Sequence, residues 1–332
     1  MSKPAEGKKN FIYNCANAAT WFANDVSPND EFVVGKCGIR LWKRNVHHRS
    51  SAMTYTSPEV PCSMPLLKSH LQKAIRRKKT ELALRTLYSL MSQDTIATLR
   101  RLPIIAIEDV CLVRGLSTIV WLMMVDKKHT VTEIDYAFLE NFVFSLCETD
   151  EYFDCTGEAD ETTMTITRAN SHKNIVDSNI DNMDDVLALF YRIEYGGMKC
   201  DKTLFQNAIE YHTNLYLTTP TSIEMKINNL DKNIVRCHIV LSLNSDLFIQ
   251  EAIDFHPYPW IVKKIYSNIN VGVHVQDKIS HDAIKLYIWQ VESSFNVRKN
   301  WSVSRSQDIA KDRWWKKIAL ELRGLRSYIV HL

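Results

Sequence analysis

The stretch from residue 65 to residue 113 constrains the fold more than any other part of the chain. Basic side chains lie on short segments with helical periodicity, and these segments lead into an apolar run that is expected to be buried. Leu67, Leu71 and Ile75 recur at intervals of four, which places them on one face of a helix. Farther along, residues 116–125 carry no charge and are apolar all round, which predicts a buried helix too short to span a bilayer.

Few turn-forming residues interrupt these patterns, because the chain has only 9 glycines and 9 prolines. This composition favours helices. Residues 31–43 differ, because β-branched and aromatic residues surround two glycines and predict two short strands or one bulged strand. Residues 11–22 fit either a short helix or a strand. We therefore expect a mainly α fold, a helical bundle of up to two subdomains with a small β element near the N-terminus.

Capping and breaking residues predict where the helices begin and end. Thr80 is a suitable N-cap for a helix over residues 81–91, and Asp94 for a short helix that ends at Arg100 and Arg101. Pro103 suits the first turn of a separate helix that continues to residue 112. Further helices are expected over residues 131–147, 186–194, 202–217, 246–255, 259–267, 280–297 and 308–329, with a strand or helix start over 234–243.

One segment, residues 148–185, is acidic, rich in Thr, Asn and Asp, and poor in apolar residues. This composition predicts a mobile insertion or linker. It separates a basic helical domain, residues 64–147, from a C-terminal helical domain, residues 186–332. Residues 1–63 then form an N-terminal extension with short strands.

The net charge of +3 conceals a basic–acidic–basic layout. Residues 1–128 hold 20 Lys/Arg and 10 Asp/Glu, residues 129–230 hold 6 and 18, and residues 231–332 hold 15 and 10. The basic parts could contact a polyanion such as nucleic acid. Alternatively, the acidic middle neutralises the basic ends within one chain or between copies, or each charge is simply solvated.

Eight cysteines occur without any C-x-x-C pair, which fits a reduced intracellular compartment, cytoplasmic or nuclear. The basic N-terminus lacks the apolar core of a secretory signal. Cys37, His47, His48 and Cys62 are potential zinc ligands, but their spacing matches neither a finger nor a ribbon. We expect no metal, no cofactor and no membrane segment.

A catalytic interpretation rests on Asp254 and His256, which could form an oriented general base. The favoured alternative is that His256 caps a helix and Asp254 faces water, because nothing nearby resembles a nucleophile or a phosphate cradle. A nuclease or other enzyme using this pair stays a third hypothesis. We expect a protein that binds or assembles rather than an enzyme.

Two clusters combine basic and aromatic side chains, the pairing that neutralises phosphates and stacks on bases. The first contains Lys43, Arg44, His47, His48 and Arg49 with Trp42 and Tyr55. The second contains Arg298, Lys299, Trp301, Arg305, Lys311, Arg313, Trp314, Trp315, Lys316 and Lys317. Adjacent helical residues diverge by about 100°, so Trp314 and Trp315 cannot both face one core. The alternative is that one packs inward and the other covers a neighbouring helix.

Three segments together resemble a known arrangement: LQKAIRR at 71–77, ELALRTLYSLM at 81–91 and LRRLPIIAIEDVCL at 99–112. They are similar to the C-terminal helical collar of clamp-loader-like AAA+ ATPases of the replication-associated recombination family. The resemblance implies a helical assembly or DNA-associated module over about 50 of the 332 residues. The chain has no G-x-x-x-x-G-K-[ST] loop, so no ATPase role is carried over to Arg100 or Arg101.

These observations predict a non-enzymatic nucleic-acid-binding or assembly subunit of a replication- or repair-type complex. The alternative is a structural assembly protein of a large cellular or viral particle, with a protein partner or further copies of the chain. The residues predicted to contact nucleic acid are Arg76, Arg77, Lys78, Lys79, Arg100, Arg101, Arg313, Trp314, Lys316 and Lys317.

Overall fold

The computed structural model describes residues 10–47, 63–149, 183–218, 260–291 and 312–330. These residues form four strands and ten α-helices, which confirms the mainly α fold with a small N-terminal sheet. The strands are β1 (Asn10–Asn14), β2 (Ala19–Ala23), β3 (Glu31–Lys36) and β4 (Ile39–Arg44). The helices are α1 (Met64–Arg76), α2 (Thr80–Gln93), α3 (Thr95–Asp109), α4 (Leu116–Val125), α5 (Glu133–Glu148), α6 (Asp184–Tyr195), α7 (Lys199–Thr218), α8 (Trp260–Ile269), α9 (His281–Val291) and α10 (Arg313–Val330).

The chain divides into two compact units, each made of two separate stretches. Unit 1 comprises residues 1–54 and 94–237, and unit 2 comprises residues 55–93 and 238–332. The segment 64–147, expected from the sequence to be one domain, is therefore divided: α1 and α2 pack on each other in unit 2, whereas α3, α4 and α5 belong to unit 1. Most of the acidic segment 148–185 lies outside the described residues.

Two hairpins build the sheet of unit 1, in the order β2-β1-β4-β3. Each hairpin is antiparallel, and β1 and β4 pair in parallel between them. Cys37 and Gly38 both have left-handed backbone conformations, with φ of 52° and 76°, which suits a two-residue turn between β3 and β4. Residues 31–43 thus form two strands, and residues 11–22, which fitted helix or strand, lie mainly in β1 and β2.

One face of the sheet packs on helices. Tyr13 stacks on Trp121 of α4 with ring centroids 4.5 Å apart, and the Trp121 Nε1 donates to the carbonyl oxygen of Phe11 at 3.1 Å. Phe22 stacks at 5.4 Å on Tyr191 of α6. All ten residues of α4 are buried, as its almost wholly apolar sequence predicted. We call this side the inner face of the sheet.

Helix α3 differs from the prediction of two short helices separated before Pro103. Asp94 does cap it, accepting a hydrogen bond from the Ala97 N–H at 2.9 Å. The predicted end at Arg100–Arg101 and restart at Pro103 are wrong, because the helix continues through Pro103 to Asp109. A proline inside a helix removes one N–H donor and strains the turn before it. Here Leu99, Leu102 and the residues around Pro103 are buried, so tertiary packing outweighs that cost.

Unit 2 contains a three-helix group in which α8 contacts both α9 and α10. Its core is aliphatic, with Ile265 of α8, Ile284 of α9 and Ile318 of α10 each fully buried. Asn270 bridges the connection between α8 and α9, because its side chain both accepts from the Ile279 N–H and donates to the Ile279 carbonyl oxygen, each at 3.1 Å. The predicted elements over 234–243 and 246–255 lie outside the described residues.

Candidate nucleic-acid interface

The first turn of α10 carries the strongest cluster of predicted contacts, and Asp312 sets where that turn begins. Its Oδ1 accepts from the Trp314 N–H at 2.6 Å, which caps the helix. Its Oδ2 accepts from the Tyr287 hydroxyl of α9 at 3.1 Å. Burial and this hydrogen bond raise the pKa of Tyr287. Asp312 therefore ties the start of α10 to a neighbouring helix.

The two tryptophans of α10 point in different directions, as the helical spacing predicted. Trp315 is buried together with Ile318 and Leu322, and these residues form the inward face of the helix. Trp314 is half-buried. The outward face of α10 is defined by the exposed residues Arg313, Lys316, Lys317, Leu320 and Arg323.

Trp314 holds two of these cations in place. The guanidinium carbon of Arg313 lies 5.5 Å from the centroid of the Trp314 ring, and Nζ of Lys317 lies 4.9 Å from it. A cation at such a distance is attracted to the negative face of the indole. Trp314 therefore restricts where these two positive charges can lie, which lowers the entropy lost when they meet an anion.

The electrostatics of this turn are unfavourable for the helix itself. The N-terminus of a helix carries a partial positive charge, so cations in the first turn are repelled by about 0.3–1 kcal/mol each. Arg313 and Lys316 occupy that turn, and no acidic residue does. Asp312 offsets part of the repulsion from the capping position. The result is a concentrated positive potential at one end of α10.

The predicted cluster at Arg76–Lys79 lies at the C-terminal end of α1, whereas the cluster of α10 lies at an N-terminal end. Lys73 and Arg76 occupy the last turn of α1, where cations complement the helix dipole. Arg76 is buried, Arg77 is half-buried, and Lys78 and Lys79 are exposed. Of the four, Lys78 and Lys79 are thus the residues most accessible to a partner.

The turn after α1 has an unusual residue at its centre. The Lys79 N–H donates to Ala74 O at 2.8 Å and the Lys78 N–H to Ile75 O at 2.9 Å, the bonds of a Schellman motif. Lys78 has a φ of 55° at the position where glycine is usual.

Arg100 and Arg101 lie in α3 and belong to unit 1. Arg100 is exposed, with its guanidinium carbon 5.7 Å from the ring centroid of Tyr195, and Lys36 Nζ lies 4.3 Å from the same centroid. Beneath them the buried Arg192 donates to the carbonyl oxygens of Gly196 at 2.6 Å and Arg100 at 3.3 Å. The predicted contact residues thus form three clusters, one in unit 1 and two in unit 2.

A buried polar network that the sequence interpretation missed connects the sheet to α5. Asp135 accepts hydrogen bonds from the Tyr13 hydroxyl, from His129 Nε2 at 2.9 Å, and from the N–H and hydroxyl of Thr132 at 2.7 and 2.8 Å. Burial alone would raise the pKa of Asp135, but these partners, His129 foremost, outweigh it and lower that pKa. The pattern Thr132-x-x-Asp135 is a capping box and was the available signal. Both carboxylate oxygens of Asp135 accept from donors within unit 1, so the network ties β1 and the residues before α5 to that helix.

Several other sequence candidates lie outside the described part of the chain. Asp254, His256, His48 and Cys62 lie outside the described residues, as do the members of the second basic–aromatic cluster before Asp312. Within the part of the chain that the structure describes, no group of three or more His, Cys, Asp or Glu side chains could hold a metal ion. In the same part, no helix is both long enough and apolar enough to cross a membrane.

Comparison of the chain with protein-family models, with curated proteins and with solved structures gave no match. The resemblance of residues 65–113 to a clamp-loader-like collar therefore stays a prediction from the sequence.

Proposed function

We propose that this chain is a non-enzymatic nucleic-acid-binding or assembly subunit of a replication- or repair-type complex, and that the outward face of α10 contacts phosphates. The observation that carries the proposal is the placement of Arg313 and Lys316 in the first turn of α10. The helix dipole opposes these charges there, so their interaction with the dipole destabilises the helix. An anionic partner would convert this unfavourable placement into a favourable one.

The form of the cluster supports a repeating polyanion rather than a single small anion. Arg313, Lys316 and Lys317 cover about one turn, and Arg323 extends the exposed cations to a third turn of the helix. Charges spread over that length match a ligand with several phosphates along its backbone. Lys78 and Lys79 would supply further contacts from the turn after α1.

The test compares two pairs of adjacent exposed lysines in the intact chain. Lys316→Glu with Lys317→Glu alters the proposed surface, whereas Lys127→Glu with Lys128→Glu makes the same charge change in unit 1. Affinity for labelled single-stranded and duplex DNA and RNA is measured by fluorescence anisotropy across a salt series. Each phosphate contact contributes about 0.7 to 0.9 to the slope of log affinity against log salt.

We expect the α10 pair to weaken binding and to lower that slope by about 1.4 to 1.8, because two phosphate contacts are lost. The control pair should leave the slope close to that of the wild-type chain. Equal losses from both pairs would mean that only the overall charge matters. No change from the α10 pair would refute the proposed surface.

A second candidate, structural assembly without nucleic acid, is favoured by Leu320. Its side chain is 66% exposed among the cations of the outward face of α10. An exposed leucine between cations is compatible with an acidic, partly apolar protein surface. Light scattering on the same proteins distinguishes the candidates. A mass of several chains that falls when Leu320→Glu is introduced, with no nucleic-acid binding, would support assembly.

A further inference from the structure

The second face of the sheet in unit 1, which we call the outer face, carries a row of large side chains across all four strands. Ile12 of β1 is directly paired with Trp21 of β2 and with Trp42 of β4, and Trp42 is paired with Phe32 of β3. Paired residues of neighbouring strands point to the same side. Because Phe11, Tyr13 and Phe22 face the helices, their neighbours in sequence face the other way.

The aromatic members of this row are not part of the core of unit 1. Ile12 is fully buried between its two tryptophan neighbours, whereas Trp21 and Trp42 are half-buried and Phe32 is 51% exposed. Phe32 contacts Trp42 edge to face, with ring centroids 5.2 Å apart. An exposed phenylalanine beside a half-buried tryptophan keeps a substantial apolar area in water.

Arginines flank the row along β4. Arg40, Trp42 and Arg44 share the outer face, because residues two apart in a strand point to the same side. The Cα atom of each arginine therefore lies about 6.6 Å along the strand from that of Trp42. Arg44 donates through Nε and Nη2 to the two carboxylate oxygens of Asp30, each at 2.8 Å. Its guanidinium carbon lies 4.8 Å from the ring centroid of Trp21.

These contacts orient the Arg44 guanidinium and engage two of its three nitrogens. The hydrogen bond from Arg44 lowers the pKa of Asp30, so the pair stays charged at neutral pH. Within the described residues, Asp30 occupies the Nε–Nη2 edge and leaves Nη1 for another acceptor. Arg40 is exposed. The outer face thus presents aromatic surfaces next to one guanidinium held in place, that of Arg44, and one exposed guanidinium, that of Arg40.

We infer that the outer face of the sheet binds single-stranded nucleic acid, with unpaired bases against Phe32 and Trp42 and phosphates at Arg40 and Arg44. Aromatic side chains on a sheet can receive only bases whose faces are free, and the bases of a duplex are stacked on each other. The inference rests on the proposed function for its class of ligand, but it uses different residues in the other unit. An apolar protein partner would not need a guanidinium on each side of Trp42.

The experiment uses the intact chain and three probes: oligothymidylate of about 15 nucleotides, an abasic strand of equal length, and a duplex. The abasic strand retains the phosphates but offers no bases to stack. Phe32→Ala removes an exposed ring, and Arg40→Glu reverses an exposed charge. Arg114→Glu, also exposed and in unit 1, is the matched control for Arg40→Glu. Circular dichroism checks that each variant is folded.

Phe32→Ala should weaken oligothymidylate binding about five- to tenfold, the lower part of the range for one stacked base, and leave abasic binding unchanged. Trp42→Ala should have a larger effect, and Trp42→Phe should restore most of it, because a ring is present again. Arg40→Glu should weaken both single strands, unlike Arg114→Glu. If Trp42→Ala fails to fold, Phe32→Ala decides the question.

Equal losses on the abasic strand, or no loss from Phe32→Ala, would overturn the inference. Testing the lysine pair of α10 on the same probes separates the two claims. If only the α10 variants lower affinity, the outer face is refuted and the proposed function stands. If only the sheet variants do, the α10 surface is refuted and the outer face stands. A wild-type chain that binds none of the probes refutes both.

Discussion

Replacing Asp135 by asparagine tests how much the buried network contributes to unit 1. Asparagine has nearly the same shape, but it loses the charge and keeps one acceptor oxygen. In the wild-type chain one carboxylate oxygen accepts from Tyr13, and the other accepts from His129 and twice from Thr132. With the amide oxygen at the second position, the amide nitrogen faces the Tyr13 hydroxyl, which can turn and accept from it.

The expected cost follows from these partners. A hydrogen bond to a charged acceptor contributes about 1.5–3 kcal/mol, against about 1 kcal/mol for a neutral one. Three bonds that each lose about 1 kcal/mol give a destabilisation of about 2–3 kcal/mol for Asp135→Asn. Asp135→Ala leaves buried donors without an acceptor and should cost about 3–5 kcal/mol.

The pH dependence of this contribution has a defined sign. The pKa of Asp135 is lower in the folded chain than in the unfolded chain, where it is about 3.9. Below about pH 4 the unfolded chain therefore binds protons more readily, and the stabilisation is lost as the pH falls toward the folded pKa. Above that pH the contribution is complete. Asp135→Asn removes this part of the acid sensitivity.

Hydrogen exchange of the α4 and α5 amides is the suitable assay, because it reports the opening free energy of unit 1 without assuming that both units unfold together. Asp277→Asn, an exposed site in unit 2, controls for the charge change. The reasoning would be refuted by an opening free energy within about 0.5 kcal/mol of the wild-type value, the range of ordinary surface substitutions.

Two further predictions concern backbone strain and a buried acid. Lys78→Gly should stabilise unit 2 by about 1 kcal/mol, because glycine adopts a φ of 55° without strain. Lys68→Gly within α1 should instead destabilise it by about 1 kcal/mol. Thermal unfolding of the two variants should therefore show a higher midpoint for the first and a lower midpoint for the second. Burial raises the pKa of Asp185 to about 6, so unit 1 should lose stability as the pH rises from about 4 to 6. Asp185→Asn should abolish that slope in urea unfolding, and an unchanged slope would contradict it.

Local sequence patterns predicted an element correctly where one kind of residue dominated the whole segment. The bounds of α4 were predicted at Leu116 and Val125 because eight of these ten residues are apolar and none is charged, a pattern that fits no exposed helix. The local signal at Pro103 misled, since proline marks helix starts more often than helix interiors, and only the buried neighbours on both sides explain its place within α3. The order of the strands in the sheet was harder to predict from the sequence, because the parallel pairing of β1 with β4 joins residues about 30 positions apart.

The candidate interfaces show the same limit. Trp42 and Arg44 were recognised as part of a basic–aromatic cluster, but Trp21 and Phe32 were not, because only strand register brings them into one row. Likewise, the divergence of Trp314 and Trp315 followed from helical spacing, whereas the contact of Trp314 with Arg313 and Lys317 required side-chain positions. Registers and rotamers depend on tertiary packing, which a single sequence does not encode locally.

The two basic clusters of unit 2 have similar compositions but opposite relations to their helices. At the end of α1, cations such as Arg76 stabilise the helix through its dipole, so their presence is explained by folding alone. At the start of α10, Arg313 and Lys316 oppose the dipole, so folding does not explain them. Composition could not separate these cases, because the sign of the interaction depends on which end of a helix carries the charge. This asymmetry is the reason to assign the phosphate contacts first to α10, and to expect a smaller loss of binding from substitutions at Arg76.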